Sequence, residues 1–194
     1  MYNAINMFPM SKMSNFVVDK TFNHMEFQTR QEKAADYEAV ERLITEAFAS
    51  APHSDGNEAQ LVNALRMSSS HIPQLSIVAL LGDKIIGHIL FSKIKIGDGL
   101  GLALAPLSVL PEFQRMGIGK ALIAEGHRIA KEMGYSVSVV LGNPDYYKKS
   151  GYEPAAEFEI YPPFDIDSKY YMAYPLTNGT LPSGIVEYNK AFGL

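Results

Sequence analysis

Residues 106–122 read PLSVLPEFQRMGIGKAL, and the fold turns on this stretch. An apolar run ends at Pro111, a polar turn follows, and two glycines open an amphipathic segment in which Ile118, Leu122, Ile129 and Met133 recur at helical spacing. A strand that runs into a glycine-opened helix points several free backbone N–H groups and the positive end of the helix dipole at one spot. Gly117 and Gly119 let a ligand approach the main chain without meeting a Cβ. Arg115 and Lys120 flank that spot and add positive charge. An anion, a pyrophosphate above all, fits such a place.

Outward from this segment the chain alternates between two periodicities. Upstream, residues 25–29 read as a first strand, 36–48 as a helix with Asp36 at its N-cap, and 58–67 as a second helix. Residues 75–81 and 84–96 read as strands joined across Gly82-Asp83, and 100–109 as a third apolar strand interrupted by Pro106. Downstream, 117–133 is helical and stops at Gly134. Residues 136–141 form an apolar strand of the kind buried on both faces, and 144–150 a short helix ended by Gly151. The tail carries Pro162-Pro163, Pro175 and Pro182, with a strand-like run at 170–174. Antiparallel hairpins therefore come first and a strand–helix–strand crossover follows. Residues 1–24 lack a sustained period and read as an N-terminal extension, which leaves 25–194 as one domain.

Composition narrows the function classes. Of the 194 residues 47% are apolar and 20% charged, as in ordinary soluble domains, and the net charge of −4 gives no electrostatic reason to expect nucleic acid or an anionic membrane. There is no cysteine, which removes disulfides, thiolate metal sites and a thiol nucleophile together. No metal site is read from the remaining residues. No run reaches the ~20 apolar residues that span a bilayer, and residues 1–13 make a poor signal peptide. A soluble, cytoplasmic protein is expected, and a homodimer is compatible with base rates.

Two familiar phosphate-binding patterns fail on inspection. A Walker loop needs glycine where Gln114 stands and a hydroxyl where Ala121 stands. A dinucleotide fingerprint counted from Gly117 and Gly119 needs a small residue where Leu122 stands. Instead, Gln114-Arg115-Met116-Gly117-Ile118-Gly119, preceded by Leu107-Ser108-Val109 and Pro111, resembles the acetyl-coenzyme A signature of the GNAT superfamily of N-acetyltransferases. The resemblance continues through Gly134-Tyr135, the strand at 137–141 and Tyr146-Tyr147-Lys148-Lys149-Ser150-Gly151-Tyr152. Within the superfamily it is similar to a bacterial subgroup termed YhbS-like, through Gly87-His88-Ile89, Asn143-Pro144 and the tail with Val186, Tyr188, Ala191 and Phe192.

The resemblance implies an α/β fold of mixed α+β type. Its central mixed sheet has antiparallel N-terminal strands, a splayed parallel strand pair and flanking helices, with Pro106 near the point of disruption. It implies acetyl-coenzyme A as cofactor. The pantetheine arm would lie against the main chain of Leu107-Ser108-Val109 and the pyrophosphate on the amides of Gln114, Arg115, Met116, Gly117, Ile118, Gly119 and Lys120. It implies direct attack of a primary amine of a small molecule, amino acid or peptide, with the Val109 N–H polarising the thioester carbonyl. Tyr147 would be the acid for the leaving thiolate, with Tyr146 the runner-up for that role and a neighbour of the cofactor. Asn143 is read equally as a pantetheine contact and as a helix cap.

The general base is open. The family often places a carboxylate on the strand at 100–107, and this chain has none there. His88 on a central strand is one candidate, a packed core histidine is its bland alternative, and a water chain to solvent serves as well. His127 falls on the polar helix face and is expected to be solvated. His24, His53 and His71 lie in the extension or in loops, with His53 and Asp55 near the acceptor side. The tyrosines of 161–174 either line an acceptor pocket or pack in the core. Two readings compete with acetyl transfer: a non-catalytic acyl-coenzyme A sensing module, and a pyrophosphate-binding nucleotide enzyme.

Overall fold

The structure is a computed structural model that describes residues 14–18, 25–49 and 56–193. Its sheet runs β1–β2–β3–β4–β5–β6–β9–β7. β1 (Ser14–Val18), β2 (Met25–Gln31), β3 (His71–Leu81), β4 (Lys84–Ile96) and β5 (Gly99–Val109) are joined antiparallel in sequence order. α1 (Tyr37–Phe48) and α2 (Glu58–Arg66) link β2 to β3. α3 (Ile118–Glu132) then carries the chain to β6 (Val137–Leu141), which lies parallel to β5. α4 (Pro144–Tyr147) follows, and β7 (Glu153–Pro154) and β9 (Tyr171–Pro175) complete that edge. β8 (Ile160–Tyr161) and β10 (Gly184–Glu187) pair with each other, and β10 also takes the end of β4. It can do so because β3 begins opposite Ser92, which leaves Lys95 and Ile96 without a β3 partner.

The mixed sheet and the flanking helices match the fold expected from sequence, and the β4 limits coincide with the expected ones. Gly82, with φ 57°, makes the β3–β4 turn. Gly151, with φ 85°, ends the short helical run after α4. At three positions the structure corrects the sequence. His71 opens β3 rather than lying in a loop. Met133 is 43% exposed, so it does not belong to the buried face of α3. Conversely α3 buries Glu125, Gly126 and His127 as well as Leu122 and Ile123. Its buried arc is wider than one apolar stripe because both the sheet and the β6–β9 edge cover it.

Side-chain alternation sorts the sheet into two faces. A Cβ on Gly87 would touch Ile118 and Leu122 at 3.0 Å, so Gly87 faces α3. His88 therefore faces the opposite side, where Glu32 and Arg66 of α2 lie. The face under α3 is packed most closely at Phe91, where a Cβ on Gly126 would stand 2.2 Å from Phe91 Cε2.

Gly126→Ala tests that packing with opposed signs. Helix propensity alone favours alanine by ~1 kcal/mol, whereas a Cβ driven into the fully buried Phe91 ring costs ~1–3 kcal/mol. Denaturant unfolding is expected to show a less stable variant, and a stabilised one would contradict the contact.

Candidate active site

β5 and β6 pair at only two positions, Leu102↔Ser138 and Ala103↔Val139. Beyond them the strands part. The cause lies in β5, where a register shift between Ile89 and Phe91 of β4 sets two residues of β5, Ala105 and Pro106, against Leu90 alone. Pro106 carries no N–H for a ladder, so the irregularity falls where it removes least. Past the bulge β5 rejoins β4: Ile89↔Leu107, His88↔Ser108 and Gly87↔Val109 are in register, and the Leu110 N–H donates to Ile86 O at 3.1 Å. Peptide groups alternate sides along an antiparallel strand. Those of Ser108 and Leu110 face β4, so those of Leu107 and Val109 face the opening that β6 leaves. Gln114 closes one end, its Nε2 donating to Val109 O at 3.1 Å.

The turn after β5 forms an amide cup. Residues Pro111–Phe113 make a 3-10 turn in which Gln114 N–H donates to Pro111 O. That amide is already used, so of the expected run Gln114–Lys120 the cup keeps Arg115 to Lys120. Arg115 (φ 61°) and Gly117 (φ 85°) both take the left-handed conformation. For a non-glycine residue this costs ~1–3 kcal/mol and marks sites where strain serves a purpose. Successive amides turned inward in this way form an anion-binding concavity. Gly117 caps α3, whose first intrahelical bond is Ala121 N–H to Gly117 O. The amides of Ile118, Gly119 and Lys120 therefore point out of the helix end without helical partners.

Two tyrosines stand beside the cup. A Cβ on Gly119 would lie 2.2 Å from Tyr146 Oη, so this glycine makes room for that phenol. Tyr147 packs against Gly142, where an added Cβ would lie 2.4 Å from its ring, and makes edge contacts with Tyr146 and Tyr152. Burial, then Tyr146, pushes the Tyr147 phenol well above its ordinary range. Asn143 caps α4, accepting from Asp145 N–H at 2.8 Å. Alongside α3 runs a cavity of about 440 Å³ lined by Lys120, Arg128, Lys131 and Lys149, with His127 and Tyr174 in its wall. Arg128 is paired with Glu125 and Glu132.

Other expected residues fall elsewhere. The His88 ring is fully buried on the face away from α3, and burial, then Arg66, pushes it down to about 3. Ser108 is 2% exposed on that same face, so neither its hydroxyl nor its peptide joins the opening. His127 is not solvated: it is 5% exposed, its Nε2 sits 2.9 Å from Tyr152 Oη, and it stacks on Tyr174. Burial, then Lys131, pushes it down to about 4. The Tyr152 hydroxyl also meets Ser138 Oγ at 2.9 Å. Tyr171 is core, its hydroxyl 2.9 Å from that of Tyr188, whereas Tyr161 and Tyr170 are exposed. His24, His53 and Asp55 lie outside the described residues. Sequence reading missed the buried ion pair between Glu32 and Arg66. Its two members stand 34 residues apart and no local pattern joins them. Among the described residues no His, Asp and Glu group is arranged to hold a metal, and no helix is long and apolar enough to cross a membrane.

Known proteins share the sequence pattern and the fold. The sequence pattern of the acetyltransferase (GNAT) family matches residues 37–152. The chain is 36% identical over 156 residues to an uncharacterized N-acetyltransferase, YjhQ, of Escherichia coli K12, covering 77% of this chain and 82% of that one. Its fold is similar to a crystal structure of E. coli YhbS in complex with CoA, with TM-score 0.78 and 26% identity over 91% of this chain and 97% of that one. It is also similar to a GNAT family acetyltransferase from Brucella melitensis in complex with acetyl-CoA, with TM-score 0.73 and 30% identity over 87% and 99% of the two chains.

The two buried imidazoles set a pH dependence. His88 and His127 have folded values of about 3 and about 4, below the ordinary 6.5, so protonation favours the unfolded chain. Their contribution is complete above pH 6.5. It is lost as the pH falls, at up to ~1.4 kcal/mol per pH unit for each group. Denaturant unfolding between pH 7 and 4.5 is expected to show falling stability, with a shallower fall in His127→Gln. A flat profile in the parent protein would contradict the buried neutral rings.

Proposed function

The chain belongs to the GNAT acetyltransferase family, and on that premise we propose that it transfers an acetyl group from acetyl-coenzyme A to a primary amine of a small molecule, an amino acid or a peptide. The observation that carries this reading is the continuity of two features. The peptide edge at Leu107 and the Val109 N–H, which β6 leaves unpaired, runs directly into the amide cup at Arg115–Lys120. A ligand with a peptide-like arm and a diphosphate fits both at once. The chain's own groups fit its charges: the α3 N-terminus and Lys120 face the diphosphate, and Lys131 and Lys149 in the adjoining cavity suit the phosphorylated adenosine end.

Bound acetyl-coenzyme A supplies an activated thioester. The main chain of Leu107 and Val109 holds the arm as a further strand would, and Tyr146 Oη, standing over Gly119, adds a donor beside the diphosphate. The Val109 N–H, aimed into the opening, stabilises the charge that develops on the carbonyl oxygen; such a donor is worth ~3 kcal/mol. Tyr147 stays protonated at every working pH and would give its proton to sulfur as the C–S bond breaks, recovering one from solvent. His88 is buried away from the opening and neutral, so we assign the amine proton to solvent rather than to this ring.

Two measurements test the reading. An amine panel with thiol detection is expected to give acetyl-coenzyme A-dependent turnover, which Tyr147→Phe lowers by one to two orders of magnitude with cofactor affinity nearly kept. Cofactor binding without turnover of any amine would favour a sensing module, and full turnover in Tyr147→Phe would remove Tyr147 from the chemistry. Dephospho-coenzyme A is expected to bind several-fold more weakly than coenzyme A, and Lys149→Ala to shrink that difference. Equal affinities would separate the lysine-lined cavity from the cofactor.

A further inference from the structure

Buried polar side-chain atoms almost always find partners. Among the described residues five do not: Thr29 Oγ1, His71 Nδ1, His88 Nδ1, Ser92 Oγ and Ser108 Oγ. Two of these belong to residues that stand opposite one another in the sheet. His88 and Ser108 are direct register partners across β4 and β5, on the face away from α3. Opposed side chains there stand with Cβ atoms ~5 Å apart.

The other side of the His88 ring is fully engaged. Ser76 Oγ lies 3.1 Å from His88 Nε2 and donates to Glu32 Oε2 at 2.6 Å. Glu32 is held in turn by Arg66 of α2, and both side chains are almost wholly buried. Glu32 Oε1 also lies 3.6 Å from His88 Nε2. Ser76 has one hydroxyl proton and spends it on Glu32, so its oxygen accepts from the imidazole. That fixes the proton of the neutral ring on Nε2 and leaves Nδ1 a bare acceptor without a partner. The Ser108 hydroxyl, free to rotate, carries the matching donor.

We infer that Glu32, Ser76 and His88 are positioning residues that draw the Ser108 hydroxyl onto His88 Nδ1 and so fix the direction of the neighbouring Val109 amide for acetyl transfer. The inference rests on the reading of the preceding subsection. Its physical reason is the lost strand. Beyond Ala103, β5 has β4 on one side and the opening on the other. Apart from the Gln114 bond to Val109 O, the peptides at Leu107 and Val109 are therefore oriented by β4 alone, and Ser108 sits between them. A side-chain tie at Ser108 supplies the restraint that a paired β6 would otherwise give. The tie runs across three strands to an ion pair anchored on α2, so β5 is braced against the helix layer. Misplacement of a reacting group by ~1 Å costs as much as 100-fold in rate, so a small rotation of this strand is enough to matter.

The experiment combines kinetics with resonances that need no acceptor. Nitrogen-15 shifts of His88 are expected to report a neutral ring with its proton on Nε2 from pH 5 to 8. Ser76→Ala is expected to let the other tautomer appear and to move the Val109 amide resonance from two strands away. Ser108→Ala is expected to lower kcat by ~10-fold with the KM for acetyl-coenzyme A within about twofold. Its melting temperature should fall by only a few degrees, the cost of leaving His88 Nδ1 without its donor. Ser108→Thr restores the hydroxyl and is expected to recover turnover. An Nδ1-protonated ring in the parent protein, a Val109 resonance indifferent to Ser76→Ala, or parental kcat in Ser108→Ala would each overturn the inference. Failure of the parent protein to bind coenzyme A would instead strike the acetyl-transfer reading, and calorimetry shows that separately.

Discussion

The architecture depends on one broken ladder. A strand in the middle of a sheet has two edges of peptide groups to satisfy, and unpaired groups away from water are costly. β5 satisfies one edge with β4 along nearly its whole length and the other with β6 at only two positions. A protein keeps such a gap where something else completes the pairing. The bulge at Ala105-Pro106 opens the gap, and the turn after Leu110 gathers amides at one end of it. Arg115 and Gly117 take the left-handed conformation in that turn. A peptide-like arm and a diphosphate meet both demands in one molecule.

The rest of the molecule is arranged around that gap in two layers. On one face α3 lies over β3 and β4 and brings its N-terminus to the mouth of the opening, with Tyr146 and Tyr147 alongside. The His127–Tyr152–Ser138 contacts tie α3 to β6, the strand that has parted from β5. On the other face α1 and α2 cover a buried polar line through Arg66, Glu32, Ser76 and His88. One layer is thus tied to β6 and the other to β4. Such a buried ion pair contributes little net stability but is costly to break, which suits a brace better than a source of stability.

Much of this was legible in the residues. Glycine spacing at Gly117 and Gly119, the alternation of apolar runs and the turn at Gly82-Asp83 located β3 to β6 and α3 to within a few residues, because backbone requirements act locally. What stayed hidden depends on contacts distant in sequence. His127 looks polar on a helical wheel, yet Tyr174, 47 residues later, covers it. Ser108 stands inside the signature, but its outward or inward sense depends on the strand register with β4. The tie between Glu32 and Arg66 joins the end of one strand to the end of a helix, which no periodicity encodes. Gln114 reads as part of the diphosphate cup, whereas its amide closes a turn and its side chain seals Val109 O.

If the gap between β5 and β6 is the cofactor's berth, a crystal structure of this protein with coenzyme A will show the diphosphate on the amides of Arg115 to Lys120, with the arm hydrogen-bonded to Leu107 and Val109 between the two strands. Coenzyme A bound elsewhere, or β5 and β6 paired through Val109 with no ligand between them, would contradict it.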